Sequence, residues 1–134
     1  MILGTGIDIV RVERIANAII RWGGAFEDRV FTADEKSYCR GQKKSAQSFA
    51  GRFAVKEAVM KAFGTGLSEG VKWVDIEVTA DGIGKPTVRY YGRIQEMAAR
   101  LGVGQTFVSI SHDGDYTVAQ AVLAAGDKPA AEER

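Results

Sequence analysis

Three charged residues are the first candidates for chemistry, Asp8, Glu57 and Lys61, although the sequence alone does not show that Asp8 and Glu57 come together. In "GIDIV" at 6–10, Asp8 lies between two isoleucines, so in a strand its carboxylate projects from the face opposite to theirs. In "FAVKEAVMKAFG" at 53–64, Glu57 and Lys61 are four residues apart and are neighbours on one helix face. Magnesium typically uses one or two carboxylates together with substrate phosphates. The residues alone leave two interpretations open, a metal and phosphate site, or a solvent-facing aspartate and an exposed Glu–Lys pair.

Two shorter segments carry groups suited to a ligand. "GIGKP" at 82–86 combines glycines, which allow close backbone approach, with a lysine, but it lacks the length and the following helix of a P-loop. A plain hairpin loop is the other interpretation. "SISHD" at 109–113 contains the only histidine, His112, and nothing in the sequence indicates a Ser–His triad. With one histidine and one cysteine the chain has no Cys/His zinc site, so oxygen ligands are expected to hold any metal.

Composition and charge narrow the class of protein. The chain has 134 residues and a formal net charge of +1, which fits one globular domain. Eleven Lys or Arg but only six acids lie between Arg11 and Lys61, and such a bias attracts an anionic partner unless the charges are simply a scattered solvated surface. The apolar runs are shorter than a membrane span, and the start lacks the features of a signal peptide. We therefore predict a cytoplasmic protein without a membrane segment.

Periodicity and turn residues predict the element order β-α-α-α-β-β-α-β-β. The predicted elements are a strand at 2–9, a helix at 12–22 ended by "GG", a helix capped by Thr32 and Glu35, a helix from Ser45 or Ser48 to about Phe63, a hairpin over 73–92, a helix at 93–101, and a hairpin around Gly114. Hairpins rather than βαβ alternation indicate an α+β class, with an antiparallel sheet of hairpins packed with helices. We predict a single domain at 1–125 and a flexible tail at 126–134.

Five segments in this order resemble the holo-acyl-carrier-protein synthase family, the small phosphopantetheinyl transferases of fatty-acid synthesis. The resemblance extends from about Ile2 to Val122 and implies the 4′-phosphopantetheinyl transferase fold. The segments are "GIDIV" at 6–10, "RFAVKEAVMKAFGTG" at 52–66, "DIEV" at 75–78, "GKP" at 84–86 and "SISHDGDYTVAQAV" at 109–122.

The resemblance implies transfer of 4′-phosphopantetheine from coenzyme A to a serine of acyl carrier protein, with release of adenosine 3′,5′-bisphosphate. In the matching positions, Asp8 and Glu57 would hold Mg²⁺ against the coenzyme A pyrophosphate, and Lys61 would neutralise the phosphoryl oxygens. These three form the implied catalytic set. The general base stays open between Glu57 and a water activated by the metal.

The resemblance also implies binding residues and an assembly. The first helix would dock the acidic carrier protein through Arg14 and Arg21, in a salt-sensitive association. A homotrimer with sites between protomers is implied, so that some coenzyme A residues would serve a neighbouring protomer's site, with His112 near the 3′-phosphate. The implied coenzyme A-binding residues are Arg52, Lys61, Gly84, Lys85, Pro86, Ser111 and His112.

Two other classes of protein fit the sequence less well. A catalytically silent coenzyme A-binding module is disfavoured because Asp8, Glu57 and Lys61 are all intact. A nucleic-acid binder is disfavoured by four acids within the basic region and by the lack of a recognition motif. The sequence leaves open whether the carrier serves fatty-acid or polyketide synthesis, whether acyl-coenzyme A is tolerated and whether manganese replaces magnesium.

Overall fold

The computed structural model describes residues 1–127, which form five strands and five helices. This architecture confirms the α+β class, with antiparallel hairpins packed against helices. The strands are β1 (Ile2–Arg11), β2 (Ile76–Ala80), β3 (Pro86–Tyr90), β4 (Val103–Asp113) and β5 (Tyr116–Ala125). The helices are α1 (Val12–Trp22), α2 (Gly24–Val30), α3 (Ala33–Arg40), α4 (Ser45–Phe63) and α5 (Gly92–Leu101). Single turns of 3-10 helix lie at Leu67–Glu69 and Trp73–Asp75.

The strands form two antiparallel sheets. Three strands pair in the order β1-β5-β4, and β2 pairs with β3. In the larger sheet the register places Asp8 opposite Ala119, and His112 opposite Thr117. The central position of β5 therefore fixes the relative placement of the two segments that carry Asp8 and His112.

Helix α4 lies at the centre of the core and is buried on almost all sides. Phe49, Phe53 and Met60 are buried, Phe63 is half-buried, and Gly64 ends the helix in a left-handed conformation. Two of its charged residues, Arg52 and Lys56, are among those that are buried. The predicted serine cap is wrong, because Lys44 occupies the cap position and makes no side-chain capping bond.

One helix was missed and one cap was predicted correctly. Gly23 ends α1 with a φ of 54°, as expected, but α2 begins at the next residue and is only seven residues long, too short for a periodic pattern. The capping box of α3 is confirmed, since Thr32 Oγ1 accepts from Glu35 N at 3.2 Å and Glu35 Oε1 accepts from Thr32 N at 2.8 Å.

Two glycines bring β1 into direct contact with α4. A Cβ atom at Gly6 would lie 1.9 Å from the backbone oxygen of Ala58, and one at Gly4 would lie 2.1 Å from that of Ala62. Only glycine permits this approach of strand and helix backbones. Asp8 and Val10 continue the same strand face, so the close contact also decides how near Asp8 comes to α4.

The predicted tail at 126–134 lies outside the described residues apart from Gly126 and Asp127. Among residues 1–127, no helix is long and apolar enough to cross a membrane.

Candidate active site

Asp8 faces α4 rather than solvent. Alternate residues of β1 point to opposite sides, and Ile7 and Ile9 are both 62% exposed while the Asp8 side chain is only 13% exposed. The interpretation of Asp8 as a solvent-facing strand residue is therefore wrong.

Lys61 joins α4 to β1 at this point. Its Nζ lies 3.1 Å from Asp8 Oδ1 and also donates to the backbone oxygen of Ile7 at 3.1 Å. The side chain remains 53% exposed, so its ammonium is open to an anionic ligand. Lys61 therefore forms its ion pair with Asp8 of β1, and not with Glu57 of its own helix as the exposed-pair interpretation expected.

Glu57 lies close enough to Asp8 for the two carboxylates to repel each other. Burial raises the pKa of Glu57, and the negative charge of Asp8 raises it further, while Lys61 and then Arg14 oppose the shift. The carboxylates of Asp8 and Glu57 and the cations of Lys61 and Arg14 therefore lie close enough to influence one another. A carboxyl group with a raised pKa beside charged partners is typical of functional sites.

The chemistry of this donor set fits magnesium. Asp8 and Glu57 offer hard oxygen atoms, and their mutual repulsion would be relieved by a divalent cation between them. No group of three or more His, Cys, Asp or Glu suited to a metal is found within residues 1–127. Magnesium usually completes its shell with waters and substrate phosphates, so two protein carboxylates are sufficient.

An aromatic wall stands beside Glu57. Phe53 precedes Glu57 by one helical turn, and its ring stacks on Trp73 with centroids 5.0 Å apart and an interplanar angle of 24°. The guanidinium of Arg14 lies 5.4 Å from the centre of the Phe53 ring. Helix α1, helix α4 and the turn at Trp73–Asp75 thus meet at the site.

A basic cavity of about 390 Å³ joins α3, α4 and β4. It brings together Arg52 and His112, and Lys43 and Lys44 also line it. The Arg52 guanidinium lies 4.1 Å from the centre of the Tyr38 ring. Its Nε is buried without a hydrogen-bond partner among the described residues. Unsatisfied buried donors are uncommon in folded proteins, so this atom calls for an acceptor.

His112 is held in place from within its own hairpin. Its Nδ1 lies 2.8 Å from Thr117 Oγ1, which leaves Nε2 for another partner. Burial lowers the pKa of His112, and the nearby charge of Lys44 lowers it further. The positive charge of the cavity comes from Arg52, Lys43 and Lys44, and these side chains also supply donors suited to a phosphate group.

Five of the seven expected coenzyme A residues do not line this cavity. Lys61 lies at Asp8 instead, and the other four lie elsewhere in the protomer. Ser111 precedes His112 on β4 and points to the opposite face of the sheet, where it pairs with Val118. Gly84 and Lys85 belong to the β2–β3 loop, and Pro86 is the first residue of β3. The loop is ordered by Asp81 Oδ1, which accepts from Lys85 N at 2.9 Å. None of the four lines the cavity.

The two arginines that the resemblance assigns to carrier docking, Arg14 and Arg21, are both exposed on α1. Arg14 lies beside Phe53 and acts on Glu57, whereas the Arg21 guanidinium stacks on Trp22 at 4.9 Å from the ring centre. Arg14 thus lies at the edge of the site, whereas Arg21 lies in the last turn of α1, away from Glu57.

Sequence reasoning missed Lys56. It was counted with the basic surface, but its side chain is fully buried and paired with Glu35. Lys43, Lys44 and Tyr38 were also not identified as lining residues. The run "GQKK" before a long helix was the available signal for the two lysines.

Comparison with known proteins identifies the class of this protein. The family model described as the 4′-phosphopantetheinyl transferase superfamily matches residues 4–121, which include Asp8, Glu57, Lys61 and His112. The chain therefore belongs to the 4′-phosphopantetheinyl transferase superfamily.

Individual relatives narrow the class. A holo-[acyl-carrier-protein] synthase of Geobacter metallireducens is 48% identical over 123 residues, which covers 92% of this chain and 98% of the relative. The crystal structure of holo-[acyl-carrier-protein] synthase from Neisseria meningitidis matches with a TM-score of 0.85 and 33% identity, covering 92% of this chain and 99% of that one. A Bacillus anthracis holo-(acyl-carrier-protein) synthase in complex with CoA (3′,5′-ADP) matches with a TM-score of 0.78 and 36% identity, covering 94% and 99%. The chain belongs to the holo-[acyl-carrier-protein] synthase family, as its motifs indicated.

Proposed function

We propose that this enzyme transfers 4′-phosphopantetheine from coenzyme A to a serine of an acidic acyl carrier protein and depends on Mg²⁺. The observation that carries the proposal is the meeting of Asp8, Glu57 and Lys61 where β1 contacts α4. The cytoplasm is the proposed location, and fatty-acid synthesis the proposed pathway.

In the proposed reaction the carrier serine oxygen attacks the β-phosphorus of coenzyme A. A new bond forms between phosphorus and the serine oxygen, and the bond from that phosphorus to the bridging oxygen of the pyrophosphate breaks. The bridging oxygen leaves with adenosine 3′,5′-bisphosphate and takes the negative charge, while the serine proton passes to a base. Such phosphoryl transfer depends mainly on positioning and electrostatic stabilisation.

The side chains of the site have distinct roles in this reaction. Lys61 stabilises the negative charge that develops on the phosphoryl oxygens, because its ammonium is exposed and fixed by Asp8 and the Ile7 carbonyl. Glu57 is the candidate proton acceptor within the chain, and its raised pKa brings its basicity closer to neutral pH. Asp8 and Glu57 would hold Mg²⁺, which when bound supplies positive charge against the pyrophosphate.

The basic cavity is the proposed site for the nucleotide end of coenzyme A. Arg52 and His112 present donors to its 3′-phosphate, and Lys43 and Lys44 add positive charge. Bacillus anthracis holo-(acyl-carrier-protein) synthase in complex with CoA (3′,5′-ADP) has the same fold, which supports this assignment.

Helix α1 is the proposed docking surface for the carrier. Arg14 and Arg21 are exposed, and Ile20 and Trp22 beside them are 82% and 58% exposed. Positive charge steers an acidic partner toward this surface, and the apolar side chains can be buried by it. The end of α1 also opens on a groove lined by Trp22, Phe26 and Arg29.

A homotrimer with sites between protomers is the proposed assembly. The outer face of the sheet exposes large apolar side chains from two strands, Ile7 and Ile9 of β1 and Phe107 of β4. An apolar face of this kind on a soluble domain favours association. The separation of Gly84, Lys85, Pro86 and Ser111 from the cavity of their own protomer supports their use by a neighbour.

The test is the intact mass of an apo acyl carrier protein incubated with this enzyme, coenzyme A and magnesium. We expect the carrier to gain one phosphopantetheine, and the gain to be lost with Asp8→Ala, with Glu57→Ala and with a chelator. Lys36→Met serves as a control because its ion pair with Asp28 lies on α2 and α3 outside the site. A folded enzyme that binds coenzyme A but modifies no carrier would contradict the proposal and indicate a silent binding module.

A further inference from the structure

A buried ion pair lies directly behind the proposed active site. Lys56 is fully buried, and its Nζ is 2.8 Å from Glu35 Oε1, whose side chain is also fully buried. The same Nζ donates to the backbone oxygen of Trp73 at 3.0 Å. The proposed reaction uses neither Lys56 nor Glu35.

Glu35 connects this pair to two further elements. Its Oε1 accepts from Thr32 N at 2.8 Å at the start of α3, and its Oε2 accepts from Val78 N at 2.7 Å in β2. Lys56 is therefore the point at which α4 is joined to α3, to β2 and to the turn at Trp73–Asp75.

The pair is a costly way to hold helices together. Removing two charges from water carries a desolvation penalty that their attraction often only balances, and well-packed apolar residues commonly do as well for stability. Buried charges at such a place therefore need a reason beyond stability. The bond to Trp73 supplies one, because an apolar residue at position 56 could not donate to that carbonyl.

Trp73 is the residue whose position the bond decides. Its ring stacks on Phe53, one turn before Glu57, and completes the wall that also includes Arg14. The turn that carries Trp73 has only three residues, Trp73–Asp75, so it has little helical hydrogen bonding of its own. Lys56 reaches it from the rigid centre of the core.

We propose that Lys56 is a positioning residue, which, paired with Glu35, fixes the Trp73 backbone so that the Trp73 ring closes the wall beside Glu57. The inference rests on the proposed active site. It assigns Lys56 no contact with substrate. Its role is to keep the reacting groups shielded from water and the phosphopantetheine arm in line, so its loss lowers kcat while carrier binding on α1 is kept.

Fluorescence can report on Trp73 directly. The chain has two tryptophans, Trp22 and Trp73, so Trp22→Phe leaves Trp73 as the only one. In that background we compare Lys56→Met with the double variant Glu35→Gln/Lys56→Met. The single variant leaves Glu35 buried without its cation, whereas the double variant removes both charges together.

Two matched controls separate positioning from stability. Val59→Ala removes buried apolar volume from the same helix and lowers stability without touching Trp73's carbonyl. Lys36→Met makes the same chemical change at an ion pair formed with Asp28 on the surface. Each variant is measured for Tm, Trp73 emission and quenching, kcat, and KM for the apo carrier.

For the double variant we expect a Tm below that of the Trp22→Phe parent, because a glutamine side chain replaces only one of the two oxygens that accept from Thr32 N and Val78 N. That loss of Tm is of the kind that Val59→Ala also produces. We further expect a red-shifted and more quenchable Trp73 emission and an unchanged carrier KM. Its kcat falls by about 10- to 100-fold, since small misplacements at a reacting centre have effects of this size. Val59→Ala lowers Tm but leaves Trp73 emission and kcat close to those of the parent, and Lys36→Met changes none of them.

The inference is overturned if the double variant keeps both the emission and the kcat of the parent. It is also overturned if neither variant folds, because the pair is then a structural requirement. Failure of the proposed function gives a different pattern: the parent itself transfers nothing or ignores Asp8→Ala, while Trp73 emission still responds to Lys56.

Discussion

Replacing Gly6 with alanine tests the contact that places Asp8. The added Cβ would meet the Ala58 backbone oxygen at 1.9 Å, whereas ordinary contacts begin at 3.4 Å, so β1 and α4 must separate by about 1.5 Å. The clash is with backbone on both sides, and no side-chain rotation can relieve it. Asp8 lies two residues further along the same face of β1. The separation therefore carries it away from Glu57 and Lys61.

The expected effects are large for one methyl group. Overpacking of this kind costs about 2–3 kcal/mol, which for a domain of this size lowers Tm by about 5–10 °C at a fixed protein concentration. Transfer activity falls by about 100-fold, because a displacement above 1 Å misaligns groups that act by position. Differential scanning fluorimetry and single-turnover mass analysis measure the two effects.

Gly24→Ala is the matched control. Nothing lies within 4 Å of a Cβ at Gly24, which occupies the first position of α2, so the same substitution should be neutral or slightly stabilising there. If Gly6→Ala behaved like Gly24→Ala in both assays, the account of how β1 positions Asp8 would be refuted.

Three further predictions follow from charge and assembly. Burial and Asp8 raise the pKa of Glu57, so the folded state binds that proton more tightly than the unfolded state does and the Glu57 charge costs stability at neutral pH. In chelator, Glu57→Gln should therefore raise Tm at neutral pH, by an amount that shrinks as the pH falls through the Glu57 pKa; a Tm gain that does not depend on pH would contradict this. If the positive charge of α1 steers the carrier, the KM for the carrier, measured from initial rates, should rise with salt concentration. The double variant Arg14→Ala/Arg21→Ala should have a higher carrier KM that depends less on salt. If that variant's KM depended on salt as strongly as the wild type's, the carrier would dock elsewhere. If the sites lie between protomers, Asp8→Ala and Lys85→Ala proteins, each inactive alone, should regain activity when they are refolded together as mixed trimers. We expect about one quarter of wild-type activity, because one site in four then combines an intact Asp8 with an intact Lys85 from the neighbour. No recovery would mean that each protomer has its own complete site.

Local signals in the sequence predicted most of the elements correctly. The capping box at Thr32 and Glu35 and the glycine that ends α1 depend on near neighbours only, and both are present. Helix α2 was missed because seven residues after a Gly–Gly pair carry no usable period. Strands β2 and β3 form a sheet of their own rather than joining the larger sheet. That choice depends on contacts between residues far apart in the chain, so a local sequence pattern does not predict it.

The site was predictable in its residue types but not in its geometry. Alternation in "GIDIV" showed that Asp8 and the isoleucines face opposite ways, yet it did not decide which side meets the core. Tertiary contacts decided it, because Gly4 and Gly6 can approach α4 only on the face that Asp8 shares. For the same reason the sequence could not distinguish Lys56 from Lys61: one is enclosed with Glu35 and the other reaches Asp8, although both are lysines on one helix.

Strand β1 links the chemistry to the proposed assembly. Its inner face supplies Asp8, and its outer face exposes Ile7 and Ile9, so a substitution such as Ile7→Glu alters only the outer face. In a trimer with sites between protomers, that change would separate Asp8 from the neighbour's Lys85 without moving Asp8 relative to Glu57. The variant should therefore be monomeric by light scattering, folded and inactive with carrier, while Glu57 retains its raised pKa. An active monomer would show that the outer face of β1 has no part in forming the site.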